Sequence, residues 1–458
     1  MKRDLAIEAA KKVGSNVDIY GWVNTRRDHG KIIFLDVRDS SGIVQVVVTP
    51  KSEEAYKVAN GLGSEDVVHI TGKVSDRPKE NVNPDLPTGT VEISSDKIEL
   101  VSKSKELPIP IDGEGYDIEE LIRYKYRYMD LRRARLQKNL RLRHKIVNLV
   151  HEFLDEKDFV EIETPYLSKT TPEGSRDFLV PSRLQKGKFY ALTQSPQQYK
   201  QLLQIAGFER YYQIARAFRD EDLRADRQFE HTQIDLEMAF VDREDVMKLV
   251  EEMIVFVAKG VGKKIERTPF PNLSFQEAKD KYDTDRPHLG GEEGSLSFLW
   301  VIDFPLFDKT PEGKYTFAHN PFASPKSEEV EDLMKNKNLD ILKSLQYDIV
   351  CNGEEVGGGS IRIKDPEVQR QIFRVMGYSD PHIEKEFGHL LSAYEYGAPF
   401  HGGIAIGLDR LAALFAGEEN IREVIAFPVA SSGQTSVMDA PSEADEKQLK
   451  EVGLKIKD

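Results

Sequence analysis

The stretch Tyr211–Phe240, YYQIARAFRDEDLRADRQFEHTQIDLEMAF, decides the reading of this chain. Tyr211 to Arg219 and Thr232 to Phe240 read as strands, with the charged loop RDEDLRADRQ (219–228) between them. Side chains alternate across a strand with period two, so Gln213 and Arg219 share one face of the first strand. On the second, Gln233, Asp235 and Glu237 lie opposite Ile234, Leu236 and Met238. One hairpin therefore presents arginine, amides and carboxylates together over an apolar back. A surface hairpin is the ordinary alternative, but surfaces rarely set so apolar a face behind so ordered a polar one.

Two later segments carry compatible chemistry. In Asp348 … Glu355-Val-Gly-Gly-Gly-Ser360-Ile-Arg362, the three glycines let a ligand approach the backbone closely, and hard carboxylate oxygens suit Mg²⁺. In Gly402-Gly-Ile-Ala-Ile-Gly407-Leu408-Asp409-Arg410, an apolar strand turns through glycine into a helix whose first turn offers Arg410 to an anion. A glycine triplet alone is often only a turn. Together the three segments describe a site for a nucleotide with a metal ion.

Upstream, Leu136, Leu140, Val147, Val150 and Leu154 form one apolar helical stripe, and Leu142, Ile146, Leu149 and Phe153 an adjacent one. So wide a face suits a core or a subunit interface equally. Further back, Val17/Ile19/Gly21/Val23, Ile33/Leu35/Val37 and Val44/Val46/Val48 alternate with polar neighbours, with a turn at Ser40-Ser41-Gly42. Such strands fit a small barrel. Phe34, Asp36 and Arg38 point outward, Gln45 shares that face, and Arg26, Arg27, Asp28 and His29 precede them. Aromatic, amide and arginine on one barrel face are how unpaired bases are stacked and read; cover by a neighbouring domain is the alternative for Phe34. The segment 102–116, with two prolines and two glycines, reads as a linker. From Glu161 onward, strands, helices and Gly-rich turns predict a large mixed domain.

Sixty-four Lys+Arg against 78 Asp+Glu give a net charge of −14, which taken alone argues against a nucleic-acid partner. Arg123 to Lys145 nevertheless holds ten Lys/Arg against one acid, Asp130, and its plain reading is a solvated helix face. The single cysteine, Cys351, sits in an apolar run and excludes internal disulfides and cysteine-based zinc sites. No stretch approaches the 18 or so apolar residues of a membrane helix. MKRDLAIEAAKKV has neither the apolar core of a signal peptide nor the acid-poor composition of a mitochondrial presequence, so a cytoplasmic protein is expected.

The motifs also carry a resemblance. FRDEDLRADRQ resembles motif 2 of class II aminoacyl-tRNA synthetases, GIAIGLDRLAALFAG resembles motif 3, and the helix running to VEIETPYL resembles motif 1. GWVNTRRDHGKIIFLDVRD, TPEGSRDFLVPSR, QSPQQYKQLL, FAHNPF, EVGGGSIRI and APSEADEKQLKE are similar to the aspartyl branch. The resemblance covers nearly the whole chain. It implies an α+β protein: an OB-fold anticodon-binding barrel over 1–101, a hinge over 102–116, and a catalytic domain over 117–458 on an antiparallel sheet flanked by helices, with a C-terminal extension from about 430. It also implies ATP-dependent activation of L-aspartate and its transfer to tRNA(Asp) by a homodimer, with ATP and Mg²⁺.

By the same resemblance, Glu173, Gln197, Lys200, Arg219, His319 and Arg362 would bind aspartate. Lys200 and Arg362 would pair with its side-chain carboxylate, so that asparagine would leave both cations without a counter-charge. Arg219 and Arg410 would be catalytic, holding the α- and γ-phosphates. Asp220, Glu221, Gln228, His231, Glu355, Gly407, Leu408 and Asp409 would complete the ATP site, and Glu355, Asp348 and Ser360 would hold the metal. Arg26, Arg27, His29, Phe34, Gln45 and Glu92 would meet the anticodon, Pro165 would lie at the dimer interface, and the basic run 123–145 would face tRNA.

Three departures stand out. Phe229 and His231 replace the family's proline and adenine-stacking phenylalanine; imidazole offers less area and a charge that titrates near neutrality, so weaker or pH-sensitive ATP binding is expected. Leu289 runs through GGEEGS into FLWVIDFP, so the roughly hundred-residue inserted domain of bacterial members is absent. His29 stands where strictly tRNA(Asp)-specific relatives have leucine, which goes with charging of tRNA(Asn) as well, unless it merely caps the loop. The competing readings are a non-catalytic tRNA-binding paralogue, which should lack one of Arg219, Glu355, Arg362 or Arg410, and a tRNA-independent aspartate ligase, which should lack the barrel.

Overall fold

A computed structural model describes residues 3–171 and 174–457, and the chain divides into two compact units, one up to Pro110 and one from Ile111. In the first, β1 (Asn16–His29), β2 (Ile32–Asp39), β3 (Gly42–Val48), β4 (Val67–Asp76) and β5 (Val91–Ser102) close into a barrel in the order β1-β2-β3-β5-β4. The alternating residues Val17, Ile19, Val23, Ile33, Leu35, Val37, Val44, Val46 and Val48 all point inward and are buried. β-Branched side chains suit such a pleated, half-buried surface. The β2–β3 turn is closed by Asp39, whose Oδ1 accepts the Ser41 N–H at 2.7 Å.

The second unit is built on an eight-stranded sheet. Its strands are β6 (Val160–Glu161), β7 (Arg210–Phe218), β8 (Glu230–Ala239), β9 (Asn272–Ser274), β10 (Phe298–Ile302), β11 (Gln346–Cys351), β12 (Glu354–Ile361) and β13 (His401–Gly407), in the order β9-β10-β11-β12-β13-β8-β7-β6. The six central strands are antiparallel, while each edge adds one parallel pair, β9/β10 and β6/β7, so the sheet is mixed. Helices Ala134–Asp155 and Arg243–Val261 pack on its apolar side against Ile234, Leu236, Met238, Ile404 and Ile406. In the hairpin β7–β8, β8 is buried on both faces from Gln233 to Ala239, and β7 on the face of Tyr211, Gln213, Ala215 and Ala217, while Arg210 and Arg216 are exposed. The buried polar residues have to face the interior.

The basic run is divided, and four of its arginines form neither a solvated face nor a surface for tRNA. Arg123, Arg127 and Arg133 are buried around Asp130. Arg123 also donates twice to Glu423, at 3.1 and 2.9 Å, and Arg127 donates to the carbonyls of Arg422, Ile425 and Ala426. Arg135 bridges Glu418 and Glu423 at 2.7 and 2.8 Å. A charge density that suggests a binding surface is spent here on internal pairing, with Asp130 inside the run and with Glu418 and Glu423 some 300 positions away. Lys125, Lys138, Arg141 and Lys145 stay exposed, the last three on one face of the helix Ala134–Asp155. Between Leu289 and Phe298 the chain makes a short connection, with left-handed Gly290 and Gly294, and enters β10 directly.

Candidate active site and nucleic-acid face

The polar side of the large sheet floors a cavity of about 360 Å³. Register sets Asp235 opposite Ala405, Ala405 opposite Gly358, and Gly358 opposite Asp348. Two strands bearing carboxylates thus flank two with almost no side-chain bulk. The glycines create this space: a Cβ on Gly358 would sit 2.7 Å from Asp348 Oδ1, and one on Gly403 would sit 2.2 Å from Glu237 Oε2.

At one end the helix Gln197–Ile205 delivers Lys200, whose Nζ lies 3.0 Å from Asp235 Oδ2 and 3.2 Å from Glu237 Oε2. Arg362 donates twice to Glu237, at 2.9 and 3.1 Å, and to Ser360 Oγ at 2.7 Å. Burial pushes the Asp235 carboxyl up to about 6 against the pull of Lys200. Burial also opposes ionisation of Glu237, but Arg362 and Lys200 outweigh it and hold that carboxyl at about 2. The expectation that Lys200 and Arg362 have no counter-charge except substrate is corrected by these pairs. Two cations this deep have to be neutralised within the fold, since an unpaired buried charge is strongly destabilising. Gln233 Oε1, Asp235 Oδ1 and Arg219 Nε are buried without a hydrogen-bond partner among the described residues, and all three side chains line the cavity.

At the other end Arg410, in the first turn of helix Leu408–Ala416, donates to Glu355 O at 2.8 Å and to Asp226 Oδ2 at 3.0 Å. Glu221 accepts from Ser175 and, at 3.1 Å, from Arg227. Gln228 Oε1 accepts the Val429 N–H at 2.7 Å, fastening the 219–228 loop to the C-terminal segment. His231 is held neutral: burial, then the fields of Arg219 and Arg410, take its imidazole down to about 3. The expected pH-sensitivity of ATP binding between pH 6 and 8 therefore has no source in His231. Burial likewise lowers His319, which packs edge-on against Phe304 at 4.7 Å.

Not every expected residue reaches the cavity. Lys200, Gln197, Arg219, Glu221, Gln228, His231, His319, Asp348, Glu355, Arg362, Gly407, Asp409 and Arg410 line it. Leu408 is packed in the core, Ser360 serves Arg362, and Asp220 is bridged to Arg176. Asp409 spends one oxygen on Arg143 and the other, at 2.8 Å, on the Thr232 N–H, so it ties the start of helix 408–416 to β8. Glu173 lies outside the described residues. Pro165 is exposed beside Thr164, whose N–H and hydroxyl both donate to Gln213 Oε1.

Asp348 and Glu355 are the two carboxylates whose oxygens suit a divalent cation. Burial, and next the charge of Glu355, raise the Asp348 carboxyl well above its ordinary range, a repulsion that a hard cation relieves. Among the described residues no cluster of three His, Cys, Asp or Glu groups could hold a metal. Two carboxylates with substrate phosphates are a usual Mg²⁺ ligand set, so the residues fit that ion.

The barrel has its own polar face. Arg27 pairs with Asp36 at 2.6 and 3.0 Å, its Nη2 lies 3.5 Å from Gln45 Oε1, and Gln45 Nε2 donates to Glu92 Oε2 at 3.1 Å. Phe34, opposite Arg27 in the register, stays half-exposed on this face. Arg26 turns away, donating to Ala59 O at 3.0 Å and to Asn60. His29 is exposed at the end of β1, where its backbone pairs with Ile32 and its imidazole has no hydrogen-bond partner among the described residues. Sequence reasoning missed Arg77: its guanidinium is buried near Glu92, Asp36 and Arg27, with Nη2 unpartnered. It also missed Asp235 and Glu237 as partners of Lys200 and Arg362, although their shared strand face was legible.

Residues 119–431 match the family described as tRNA synthetases class II (D, K and N), and residues 17–101 match the OB-fold nucleic acid binding domain. The aspartate–tRNA(Asp/Asn) ligases of Caldanaerobacter subterraneus subsp. tengcongensis and Natranaerobius thermophilus are 40% and 41% identical, each alignment covering 97% of this chain and 96% and 97% of the relative. The aspartate–tRNA ligase of Staphylococcus epidermidis is 38% identical, with 97% of both covered. Each of these alignments runs over 574 residues against a chain of 458, so the relatives carry more than a hundred residues without a counterpart here. In fold, the chain resembles Pyrococcus horikoshii asparaginyl-tRNA synthetase (TM-score 0.76, 24% identity, 93% of this chain and 98% of that one). It resembles Entamoeba histolytica aspartyl-tRNA synthetase similarly (TM-score 0.73, 21% identity, 93% and 91%).

Proposed function

The chain belongs to the class II tRNA synthetases of the D, K and N group, and we propose that it is an aspartate–tRNA ligase that makes aspartyl-adenylate from L-aspartate and ATP and transfers the aspartyl group to tRNA. One observation carries this reading: a single cavity is lined by Lys200, Asp235 and Arg362, paired with the buried Glu237, at one end and by Arg219 and Arg410 towards the other. The carboxylate cluster selects the amino acid. Bound aspartate brings its side-chain carboxylate to Lys200 and Arg362 and its ammonium to Asp235 and Gln197, so three cations meet three carboxylates. Asparagine leaves one positive charge in excess in a desolvated site, which is costly. Glu173 and His319 complete the aspartate pocket.

The aspartate α-carboxylate attacks the α-phosphorus of ATP, so no protein nucleophile is needed and catalysis is alignment with charge stabilisation. Arg219 holds the α-phosphate and the α-carboxylate. Arg410 exchanges Asp226 for the γ-phosphate and stabilises the departing pyrophosphate. Glu221 and Gln228 meet the adenosine, and His231 stacks on the base as a neutral ring. Asp348 and Glu355 would hold Mg²⁺, which supplies charge neutralisation at the phosphates. The terminal ribose hydroxyl of tRNA then attacks the adenylate carbonyl and releases AMP.

On the barrel, Phe34 stacks on an anticodon base that Gln45, Arg27 and Glu92 read by hydrogen bonds. The exposed His29, together with the similarity to two aspartate–tRNA(Asp/Asn) ligases, supports use of tRNA(Asn) as well as tRNA(Asp). The exposed Pro165, with Val160 and Leu167 also exposed on either side, supports a homodimer interface. A cytoplasmic site of action accords with translation. No helix among the described residues is long and apolar enough to cross a membrane.

The test is aminoacylation of purified tRNA(Asp) and tRNA(Asn) with labelled aspartate and ATP, with asparagine in parallel. Charging of both tRNAs with aspartate alone is expected. Charging of tRNA(Asp) only would remove the role given to His29. No charging, and no aspartate-dependent pyrophosphate exchange, would overturn the proposal.

A further inference from the structure

Behind Gln197, at the amino-acid end of the cavity, lies a buried polar chain whose inner members, Gln201 and His401, have no part in the reaction described above. His401 opens β13 and is fully buried, with Nδ1 2.8 Å from Pro399 O. Its Nε2 lies 3.3 Å from Gln201 Nε2, which also donates to Tyr394 Oη at 2.9 Å. Gln201 Oε1 accepts from Gln197 Nε2 at 3.1 Å, one helical turn away. Gln197 lines the cavity; Gln201 and His401 do not.

The proton positions along this chain follow from its far end. A backbone carbonyl only accepts, so Pro399 O requires the proton on His401 Nδ1. A neutral imidazole then has a bare lone pair on Nε2. Burial lowers the His401 pKa, which keeps the ring in that neutral form. The lone pair accepts from the Gln201 amide nitrogen, so the Gln201 oxygen must face Gln197 and accept from its nitrogen. Gln197 is left with its oxygen towards the cavity, and that oxygen accepts no hydrogen bond from the described residues. Reversing either amide would set nitrogen against nitrogen hydrogen or oxygen against lone pair at buried positions, a cost of the kind that unsatisfied buried groups carry.

We propose that His401, through Gln201, is a positioning residue that fixes the amide of Gln197 so that its oxygen, and not its NH₂ group, meets the α-ammonium of the amino-acid substrate. This inference rests on the aspartate reading above and adds to it the origin of the amide's polarity. The ammonium is the one substrate group that distinguishes the two amide orientations. An NH₂ group turned towards it would repel it, while the Asp235 oxygen and the carboxylate-binding cations would be unchanged.

The experiment compares aspartate with succinate, which has both carboxylates and no amino group. KM for aspartate and ATP and Ki for succinate are measured by pyrophosphate exchange for the wild type, His401→Phe and Gln201→Met; the second variant covers the case in which the first fails to fold. Expected in a folded variant is a roughly 10- to 100-fold rise in the aspartate KM, the size of a lost hydrogen bond to a charged group, with succinate Ki and ATP KM unchanged. An equal loss for aspartate and succinate would make the chain merely structural and overturn the proposal, as would no change in either. A wild type without aspartate-dependent exchange would overturn the aspartate reading and this inference with it.

Discussion

His231 and Asp235 are titratable side chains in one cavity whose surroundings move them in ways their identity does not disclose. Burial and two arginines keep His231 neutral, with its pKa near 3, so the wild-type KM for ATP should be flat between pH 6 and 8. His231→Phe should lower that KM a fewfold at every pH, because the larger ring stacks over more area. Asp235, raised to about 6, should impose the pH-dependence instead. Its charged form receives the ammonium, so kcat/KM for aspartate should fall as pH drops through about 6, and Asp235→Asn should remove that limb while weakening aspartate binding. The sign for stability is opposite. The folded carboxyl holds its proton more tightly than the unfolded one, so Asp235 opposes folding increasingly as pH rises from about 4 to 6. None of this was legible from residue types alone. The strand alternation placed Asp235 and Glu237 on the cavity side, but their pairing with Lys200 and Arg362 depended on a helix and a strand brought in from elsewhere.

At the level of elements, the departures from expectation concern charge. The segment 123–145 has the composition of a nucleic-acid surface, yet Arg123, Arg127, Arg133 and Arg135 pin the chain around Ile421–Ala426 through Asp130, Glu418 and Glu423. Arg127→Met should therefore cost about 3 kcal/mol or more of stability, read by denaturant unfolding, since it takes one of three cations from the buried Asp130 and leaves the Arg422, Ile425 and Ala426 carbonyls without their donor. The salt-dependence of tRNA binding should not change. Arg143 acts one step from the nucleotide: Arg143→Leu frees Asp409, loosens the tie between helix Leu408–Ala416 and Thr232, and should raise the KM for ATP roughly tenfold with the aspartate KM little changed. The strands themselves were readable, because β-branched residues with period two need a buried face wherever they occur.

For the molecule as a whole, the two units divide the work, so defects should separate. Phe34→Ala should raise the KM for tRNA by about 10- to 100-fold, the value of a lost base stack, and leave aspartate-dependent pyrophosphate exchange intact. The sequence by itself determined the first three of the five barrel strands, the polar and apolar faces of the β7–β8 hairpin, the glycine-lined floor and the family motifs. Those features rest on periodicity, on backbone freedom at glycine and on contiguous residue types, all of which are local. Only the tertiary structure decided that Arg123, Arg127, Arg133 and Arg135 are internal, that Arg26 turns from the face that Arg27 occupies, that His231 stays neutral, and that Lys200 and Arg362 arrive already paired. Each of those outcomes depends on charges and packing contributed by residues distant in sequence. A charge in a protein interior takes its meaning from its partners, and the chain order does not say who they are.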